Sequence, residues 1–407
     1  MLATLDQQLD AVTTPIGGGD IMAFLLRRRW LMLGLARTLS ALGRMRKGPL
    51  KLGKVVLVMR HAHVVEALRR DTDFLAGGSY KEEIERTNGP FVLGMDRGPQ
   101  LSLESRALYT ALARVDLKAL SQQAGAEADR RLGELGAEFD AVQDYFWPVC
   151  GFTTQAMFGL AAVEPHLFRQ ASRAIFYHVF LDAKKADDVR ERAVTAGKLL
   201  SDWLAEEIGR RRKAGAAAYG DDFMGQLMLE TTLDDDAVRR TLGGMLVGSV
   251  DTINGVAARV LAVADATPKL RQRMTENLGK AALFNGYCLE AHRLWAQTPM
   301  IVRKASRATN LSGTAIAEGS KVILFTHAAM FDEMAFNKAM TLRPDRPAAC
   351  YLHYGGGVHA CAGRALADMQ VPMLVSRLIA RGVRVTGKLQ WAGPFPDRLP
   401  VRLEDVK

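Results

Sequence analysis

Apolar residues recur at helical spacing along most of this chain, and only short stretches have the pattern of strands. From Ile21 to about Arg46 the apolar positions follow a helical period that three consecutive arginines interrupt. Val55–Met59 is a short β-branched run typical of a strand, and a helix is predicted from about Ala62 to Arg70. Residues 73–103 are rich in glycine and polar groups and are predicted to be loop.

Helical patterns also dominate the rest of the chain. They continue to about Lys213, where a small-residue loop follows. Asp234–Asp236 offers a cap and an acidic first turn for a long helix running to about Ala266. A strand-like run at 321–325, a long helix that stops at Gly382 and short strands after it complete the pattern. The sequence predicts a mainly α fold with small β-sheets, as one domain over residues 1–407 whose first 50 residues are a lead-in and first helix.

Composition is that of a soluble globular protein. The 407 residues are 48% hydrophobic and 24% charged, and a chain of this length can bury a large core. No stretch reaches eighteen uninterrupted apolar residues, so no membrane-spanning helix is predicted. The start of the chain lacks the pattern of a signal peptide, and we therefore expect a cytoplasmic protein.

The formal net charge of +10 suits nucleic acid, an anionic membrane surface or an acidic protein partner. No nucleic-acid-binding motif accompanies it and the basic residues are spread along the chain, so nucleic acid is not expected. The helical stretch 21–46 allows two interpretations. It is either a basic amphipathic helix in peripheral contact with a membrane surface, or a first helix packed on the body with its arginines in solvent. We expect the second.

One glycine-rich stretch lies directly before a long helical pattern. It is Tyr354-Gly-Gly-Gly-Val-His-Ala-Cys-Ala-Gly-Arg364, and its four glycines suit a backbone that turns tightly or approaches something bulky and flat. Cys361 lies where the helix begins, so the helix dipole and the unpaired N–H groups favour a thiolate. Such a thiolate suits a haem iron. The alternative is a glycine-rich turn with an ordinary buried cysteine.

The whole stretch resembles the haem-binding signature of the cytochrome P450 family, an aromatic residue followed by Gly-x-Gly-x-His-x-Cys-x-Gly. Only Tyr354 departs slightly, because the family usually has Phe there. The resemblance implies that Cys361 is the proximal thiolate of haem b and that His359 is a propionate partner. It also implies that Gly357 and Gly363 let the loop lie against the porphyrin. The expected fold is the triangular prism of that family, with haem between the long central helix and the helix after the cysteine loop.

The predicted central helix contains Gly248-Ser-Val-Asp-Thr252, an Asp-Thr pair in apolar surroundings. A threonine hydroxyl can bond to the carbonyl one turn earlier, here that of Gly248, and loosen the helix. The alternative is a surface-facing pair beside a packing glycine. The family carries Ala/Gly-Gly-x-Asp/Glu-Thr here, so Ser249 replaces its second glycine. The resemblance implies that Asp251 delivers protons and that Thr252 steadies the oxygen to be activated.

Further matches involve charged residues. Glu290 and Arg293, at i and i+3 on a helix, precede Arg346 as the family's ion-pair triad does, and the resemblance gives them a structural role. Arg303 matches a strand arginine that pairs with a propionate. One departure is Leu101, which stands where the family has a propionate-binding histidine.

The function implied by the resemblance is monooxygenation of a small to medium apolar substrate. Electrons would come from a separate ferredoxin or flavodoxin-type donor with its reductase. Alternatives are a peroxide-driven or rearranging haem-thiolate enzyme, or a non-catalytic haem-thiolate sensor or carrier; the Asp-Thr pair weighs against both. Candidates for the substrate pocket are Met245, Ser249, Met300, Val302 and Phe395.

Overall fold

The computed structural model describes residues 21–160, 165–182 and 184–404. Helices make up most of it, as the apolar periodicity predicts. The α-helices in chain order are α1 (Ile21–Leu26), α2 (Arg29–Arg44), α3 (His61–Arg69), α4 (Gly77–Asn88), α5 (Pro99–Arg114), α6 (Leu117–Glu134), α7 (Trp147–Phe158), α8 (Pro165–Phe176), α9 (Asp187–Ala214), α10 (Phe223–Met228), α11 (Asp235–Val247), α12 (Asp251–Asp265), α13 (Pro268–Glu276), α14 (Ala281–Leu294), α15 (Thr326–Ala329) and α16 (Arg364–Ala380).

Twelve short strands of the described chain form the minor β component. They are β1 (Leu50–Leu52), β2 (Val55–Val58), β3 (Phe74–Leu75), β4 (Glu138–Asp140), β5 (Ile301–Ala305), β6 (Thr309–Leu311), β7 (Thr314–Ile316), β8 (Lys321–Leu324), β9 (Val383–Val385), β10 (Gln390–Ala392), β11 (Phe395–Arg398) and β12 (Pro400–Leu403). The largest sheet has the order β1-β2-β8-β5-β3, with β2 and β8 parallel and Val55 opposite Lys321. The others are β4-β12-β9 and the hairpins β6-β7 and β10-β11.

The core surrounds α12, which packs against α14, α16 and the hairpin strand β11. Its apolar residues are almost fully buried on every side, which is why its sequence shows little polar periodicity. Within Asp235–Asp265, a window of 18 residues is long and apolar enough to cross a membrane, with a mean hydropathy of 1.4. However, 78% of that window is buried inside the protein, as in the core helix of a globular fold.

The predicted long helix over 234–266 is in fact two helices. The N–H groups of Gly248 and Ser249 bond to carbonyls three residues back, at 3.2 and 3.1 Å, which tightens the end of α11. The hydroxyl of Thr252 donates to the carbonyl of Gly248, the contact expected from the sequence. The side chain thereby occupies an acceptor of the helical ladder, and the axis breaks between α11 and α12.

Two other expectations need correction. Residues 73–103 are not loop, since they hold α4 and the start of α5. The N–H of Gly77 donates to Asp96 Oδ1 at 2.8 Å and Ile84 is buried, so distant contacts stabilise a helix that begins with two glycines. The stretch 21–46 is also divided into two helices, because α1 ends before the arginines and α2 begins at Arg29.

Candidate active site

A closed backbone loop presents Cys361 just before α16. The N–H of Cys361 donates to the carbonyl of Tyr354 at 2.9 Å, and the N–H of Ala360 donates to Gly357 at 3.1 Å. The N–H of Arg364 then donates to the carbonyl of Cys361 at 3.3 Å, where α16 begins. These bonds satisfy the polar backbone of the turn and fix the cysteine at the start of the helix.

The two loop glycines serve different purposes. Gly357 has a φ of +69°, and a Cβ there would lie 2.1 Å from the carbonyl oxygen of Leu68 at the end of α3. Its requirement for glycine therefore comes from contact with α3, and the expectation that it faces a porphyrin is not needed to explain it. A Cβ on Gly363 would meet only the sulfur of Cys361, at 3.8 Å. Gly363 therefore leaves the space beside the sulfur open.

Two tyrosines border the cysteine loop. The hydroxyl of Tyr354 donates to Asp368 Oδ1 on α16 at 2.8 Å, which accounts for a tyrosine where Phe is usual in the family. Tyr109 on α5 places its hydroxyl 3.5 Å from the carbonyl of Ala360 and is exposed. Tyr109 cannot be identified from the sequence, because nothing near it in the sequence marks it as a neighbour of the loop.

The thiol of Cys361 is less acidic than the start of a helix suggests. The protein atoms packed around the sulfur raise the pKa of this thiol, while the N–H of Gly363, which hydrogen-bonds to the sulfur, acts in the opposite direction. Burial thus opposes the thiolate expected at the start of a helix, and the N–H of Gly363 favours it. Coordination to a metal ion deprotonates a thiol, so iron would supply the missing driving force.

Arg303 and His359 form a buried corner near the loop, in which the guanidinium of Arg303 carries the positive charge. Arg303 is 5% exposed, donates to the carbonyl of Val302 at 2.9 Å, and pairs with no carboxylate among the described residues. Burial lowers the pKa of His359, and the proximity of Arg303 lowers it further. Burial likewise lowers the pKa of Arg303. A buried guanidinium without a carboxylate partner is costly, and an anionic group placed here would remove that cost.

The break between α11 and α12 opens a gap in an otherwise buried segment. Gly248 is exposed although its neighbours are buried, and a Cβ there would meet only the carbonyl of Met245, at 3.7 Å. Thr252 is partly exposed one turn later. Ser249 is buried, and its hydroxyl donates to the carbonyl of Leu246 at 2.9 Å. The space beside the break is therefore bordered by Gly248 and Thr252, while the hydroxyl of Ser249 is engaged elsewhere.

Asp251 is held in a buried ion cluster. Arg173 on α8 forms a two-pronged pair with its carboxylate, and Asn254 Nδ2 donates to Oδ1 at 3.2 Å. Arg173 Nη1 also donates to Asp397 Oδ1 on β11 at 2.9 Å. Arg169 Nε lies 3.5 Å from Asp251, and its Nη2 lies 3.2 Å from Asp397. Two arginines of α8 thus link the central helix to the C-terminal hairpin.

The sequence does not reveal this cluster. Arg173 is 78 positions from Asp251 and 224 positions from Asp397, and none of the three belongs to a shared motif. An aspartate in an apolar helix indicates that a cationic partner is needed, because a buried carboxylate must be paired. The sequence does not indicate which arginine supplies that partner.

The predicted triad does come together. Glu290 and Arg293 are fully buried and their charged atoms lie 2.6 Å apart. Arg346 Nε lies 3.4 Å from Glu290 Oε1, and the hydroxyl of Tyr351 donates to the same oxygen at 2.7 Å. The guanidinium of Arg293 also donates to the carbonyl of Ala339 at 2.8 Å. The carboxylate and the Arg293 guanidinium are therefore partnered on several sides, as a buried pair must be.

The residues proposed for the substrate pocket are dispersed. Met245 belongs to the main core, whereas Phe395 packs with α1 and α2 in a second apolar cluster, with Met300 beside it. Val302 is partly exposed, and its N–H donates to the hydroxyl of Tyr80 at 3.0 Å. An aromatic cluster lies near these residues. The ring of Phe180 contacts the rings of both Tyr80 and Phe176.

The residues present fit a haem. Cys361 is exposed and its sulfur lies beside the open space at Gly363, and a buried arginine and histidine suit the carboxylates of the propionates. Helix α12 packs against α16, and the gap at Gly248 lies just before α12. The donor set is therefore one soft axial ligand and two groups for anions.

Sequence comparison identifies the family. A family model described as Cytochrome P450 matches residues 162–381, more than half of the chain. Cytochrome P450 109 of Bacillus spizizenii is 26% identical over 281 residues, 65% of this chain and 67% of that protein. Erythromycin C-12 hydroxylase of Saccharopolyspora erythraea is 24% identical over 261 residues, 63% of this chain and 64% of that protein. The matches thus span about two thirds of these relatives' own length.

Solved structures agree on the fold. A mutant of P450 EryK in complex with erythromycin B superposes with a TM-score of 0.77 at 20% identity, covering 93% of this chain and 97% of that one. CYP164A2 of Mycobacterium smegmatis with econazole bound gives 0.77 at 18% identity, covering 94% and 99%. The expected fold is confirmed. The chain belongs to the cytochrome P450 family of haem-thiolate monooxygenases, with cysteine-ligated haem b as its cofactor.

Proposed function

We propose that this protein hydroxylates or epoxidises a small to medium apolar organic molecule, using O2 and electrons from a separate ferredoxin or flavodoxin-type donor with its reductase. We place this activity in the cytoplasm. The observation that carries the proposal is that two features flank a pair of packed helices. The Cys361 loop directly precedes α16, and the gap at Gly248 with its Thr252 hydroxyl lies at the start of α12, which packs on α16.

The proposal assigns the haem contacts to named residues. Cys361 would hold the iron through its sulfur, and Arg303 and His359 would bind the propionates. When bound, the haem supplies the activation and transfer of oxygen, and the protein supplies binding, orientation and protons. The Glu290, Arg293 and Arg346 network would fix the segment that precedes the cysteine loop.

Proton delivery is assigned to Asp251 and Thr252. The Thr252 hydroxyl, which now donates to the carbonyl of Gly248, is the polar group at the gap. The Asp251 carboxylate is turned to Arg173 and Asn254, so it must release Arg173 before it can pass a proton towards Thr252. Release would draw on the motion of α8, because Arg173 lies on that helix.

A second candidate function is a haem-thiolate protein without external electrons, either peroxide-driven or non-catalytic. The presence of both a hydroxyl at the gap and a buried carboxylate next to it in sequence favours the monooxygenase. Turnover that requires an added ferredoxin and reductase would support our proposal, and equal turnover with peroxide alone would contradict it.

The first experiment is the difference spectrum of the reduced, carbon-monoxide-treated holoprotein. We expect the Soret band diagnostic of thiolate ligation, and its loss in Cys361→Ser. The matched control is Cys350→Ser, a half-buried cysteine outside the loop, which should keep the band. If haem-replete protein lacked the band, or if Cys361→Ser retained it, Cys361 would not be the axial ligand and the proposed function would fall.

A further inference from the structure

The net positive charge of this protein comes from one segment. Residues 21–65 contain ten lysines and arginines and no aspartate or glutamate, whereas the rest of the chain contains 44 basic and 44 acidic residues. Basic residues are spread along the chain as expected, but outside this segment acidic residues balance them, so the expectation does not hold for the net charge. The whole net charge of +10 belongs to the segment that contains α1 and α2.

Helix α2 is apolar on two opposite faces. One face is buried against the body through Met32, Leu33, Ala36, Ser40 and Gly43. The opposite face is exposed and carries no charged side chain; its members are Trp30, Leu31, Gly34, Leu35, Thr38 and Met45. At about 100° per residue these positions fall within one arc of the helix, and the ridge they form is about 24 Å long. Both interpretations of the 21–46 stretch thus describe part of it, since it packs on the body and still offers an apolar outer face.

Helix α1 extends the ridge and supplies aromatic rings flanked by cations. Ile21 and Phe24 are exposed, and Trp30 at the start of α2 is 72% exposed. The guanidinium carbon of Arg28 lies 3.7 Å from the centre of the Phe24 ring, and that of Arg29 lies 4.6 Å from the Trp30 ring. Aromatic rings beside arginines are typical of the boundary between lipid headgroups and acyl chains.

We propose that α1 and α2 form a docking surface for an anionic lipid bilayer. The ridge would enter the headgroup region, and the exposed basic side chains at its borders would contact lipid phosphates; these are Arg28, Arg37, Arg44, Arg46 and Lys47. A second copy of the chain fits poorly, because it would bring two segments of +10 together. An acidic protein would match the charge but would leave the uncharged apolar ridge without a role.

The inner side of the same helices contacts residues proposed for the substrate pocket. Met22, Leu26 and Met32 form an apolar cluster with Phe395, and Met300 packs against it. A bilayer on the outer face would therefore lie one helix away from this cluster. The consequence, that the substrate is drawn from molecules dissolved in the bilayer, rests on the proposed function, whereas lipid binding itself does not.

Flotation of the full-length holoprotein with vesicles tests the proposal. We expect binding to phosphatidylcholine vesicles that contain roughly one third phosphatidylglycerol and little binding to pure phosphatidylcholine. Tryptophan emission should shift to the blue, because Trp30 is exposed and the other four tryptophans are buried or half-buried. Failure of the full chain to bind anionic vesicles would overturn the proposal, while the carbon-monoxide spectrum would report separately on the haem site.

Two pairs of variants separate the ridge from its charges. Phe24→Ser with Trp30→Ser should weaken binding about tenfold or more, and Met334→Ser with Met340→Ser, which removes exposed apolar groups elsewhere, should not. Arg28→Glu with Arg37→Glu should weaken binding about 25-fold, at about fivefold for each basic side chain lost. The equal charge change Lys269→Glu with Arg273→Glu on α13 should have a much smaller effect.

Three outcomes would contradict docking of the full-length protein on a bilayer through this ridge. Binding that the Arg28/Arg37 variant loses and the Phe24/Trp30 variant keeps would indicate a purely electrostatic surface suited to an acidic protein. Equal losses in the ridge variants and in their matched controls would indicate non-specific adsorption. Binding that appears only after deletion of residues 2–20 would mean that this part of the chain covers the ridge in the full protein.

Discussion

The chemistry of Asp251 is set by residues that lie far from it in the sequence. Its position next to Thr252 identifies it as a candidate proton donor, but its carboxylate is bound by Arg173 and lies within 3.5 Å of Arg169. Both arginines also contact Asp397. Because all four groups are largely buried or half-buried, removal of one charge leaves the others uncompensated in a poorly solvated site.

Arg173→Leu tests this cluster. We expect it to lower the free energy of unfolding by about 3 kcal/mol, since it strands the Asp251 carboxylate without its main partner. Urea unfolding at pH 7 provides the measurement. The matched change Arg130→Leu removes an exposed arginine paired with Glu127 and should lower the free energy of unfolding much less, because solvent screens exposed ion pairs. Equal losses in the two variants would mean that solvent screens the buried cluster as well.

At the scale of secondary-structure elements, close approaches of backbone decide which glycines cannot be replaced. Gly357 and Gly313 both have positive φ values, +69° and +84°. A Cβ on Gly357 would lie 2.1 Å from the Leu68 carbonyl of α3, whereas a Cβ on Gly313, in the β6-β7 turn, would meet nothing within 4 Å. The contact between the cysteine loop and α3 therefore depends on glycine twice, for its dihedral angle and for its small size.

Gly357→Ala should destabilise the protein more than Gly313→Ala. In the Gly313 variant only the unfavourable dihedral angle lowers the free energy of unfolding, by about 1 kcal/mol. The Gly357 variant must also displace backbone, so its free energy of unfolding should fall by at least about 3 kcal/mol. Thermal unfolding of both variants and their haem content measure the difference. Comparable melting temperatures would show that the loop moves away from α3 at little cost.

At the scale of the whole molecule, buried histidines make the fold sensitive to acid. Burial lowers the pKa of His327 to about 4 and that of His353 to about 3, so both rings are neutral in the folded protein. In the unfolded chain a histidine takes up a proton near pH 6.5. The stability they contribute is therefore complete above about pH 6.5 and is lost as the pH falls from there towards 4.

We expect the free energy of unfolding, measured with urea, to decrease between pH 7 and pH 4.5. Carboxylates whose pKa values are lowered by a neighbouring arginine, such as Asp71 by Arg97 and Asp73 by Arg70, add to this decrease only at the acid end of the range, below about pH 5. His353→Gln should flatten the curve. A stability that stayed constant over this range, or an unchanged slope in the variant, would contradict the assignment.

The basic side chain of Arg364 beside the cysteine loop also predicts how reduction of the haem responds to salt. An acidic electron donor docking on the side of Cys361 should reduce the haem more slowly as ionic strength rises, because salt screens exposed charges. Arg364, half exposed beside the loop, is a candidate contact, and Arg364→Gln should weaken the salt dependence. Stopped-flow reduction measures it, and a rate indifferent to salt would exclude electrostatic docking.

The sequence by itself determined the features whose cause is local. The cysteine loop, the triad spacing of Glu290 and Arg293 and the hydroxyl bond from Thr252 to Gly248 involve residues within a few positions of one another. Apolar periodicity likewise predicted most helices and the strands β2, β8 and β9, because it records which elements are buried.

Only the tertiary structure decided the features that depend on which elements meet. It brought Arg173 and Asp397 to Asp251, showed that Gly357 is required by α3, and formed α4 where the local sequence favours a loop. It also showed that one apolar face of α2 is covered and the other exposed. Periodicity reveals that a face is apolar but not what covers it, since burial is a property of the neighbours that long-range packing supplies.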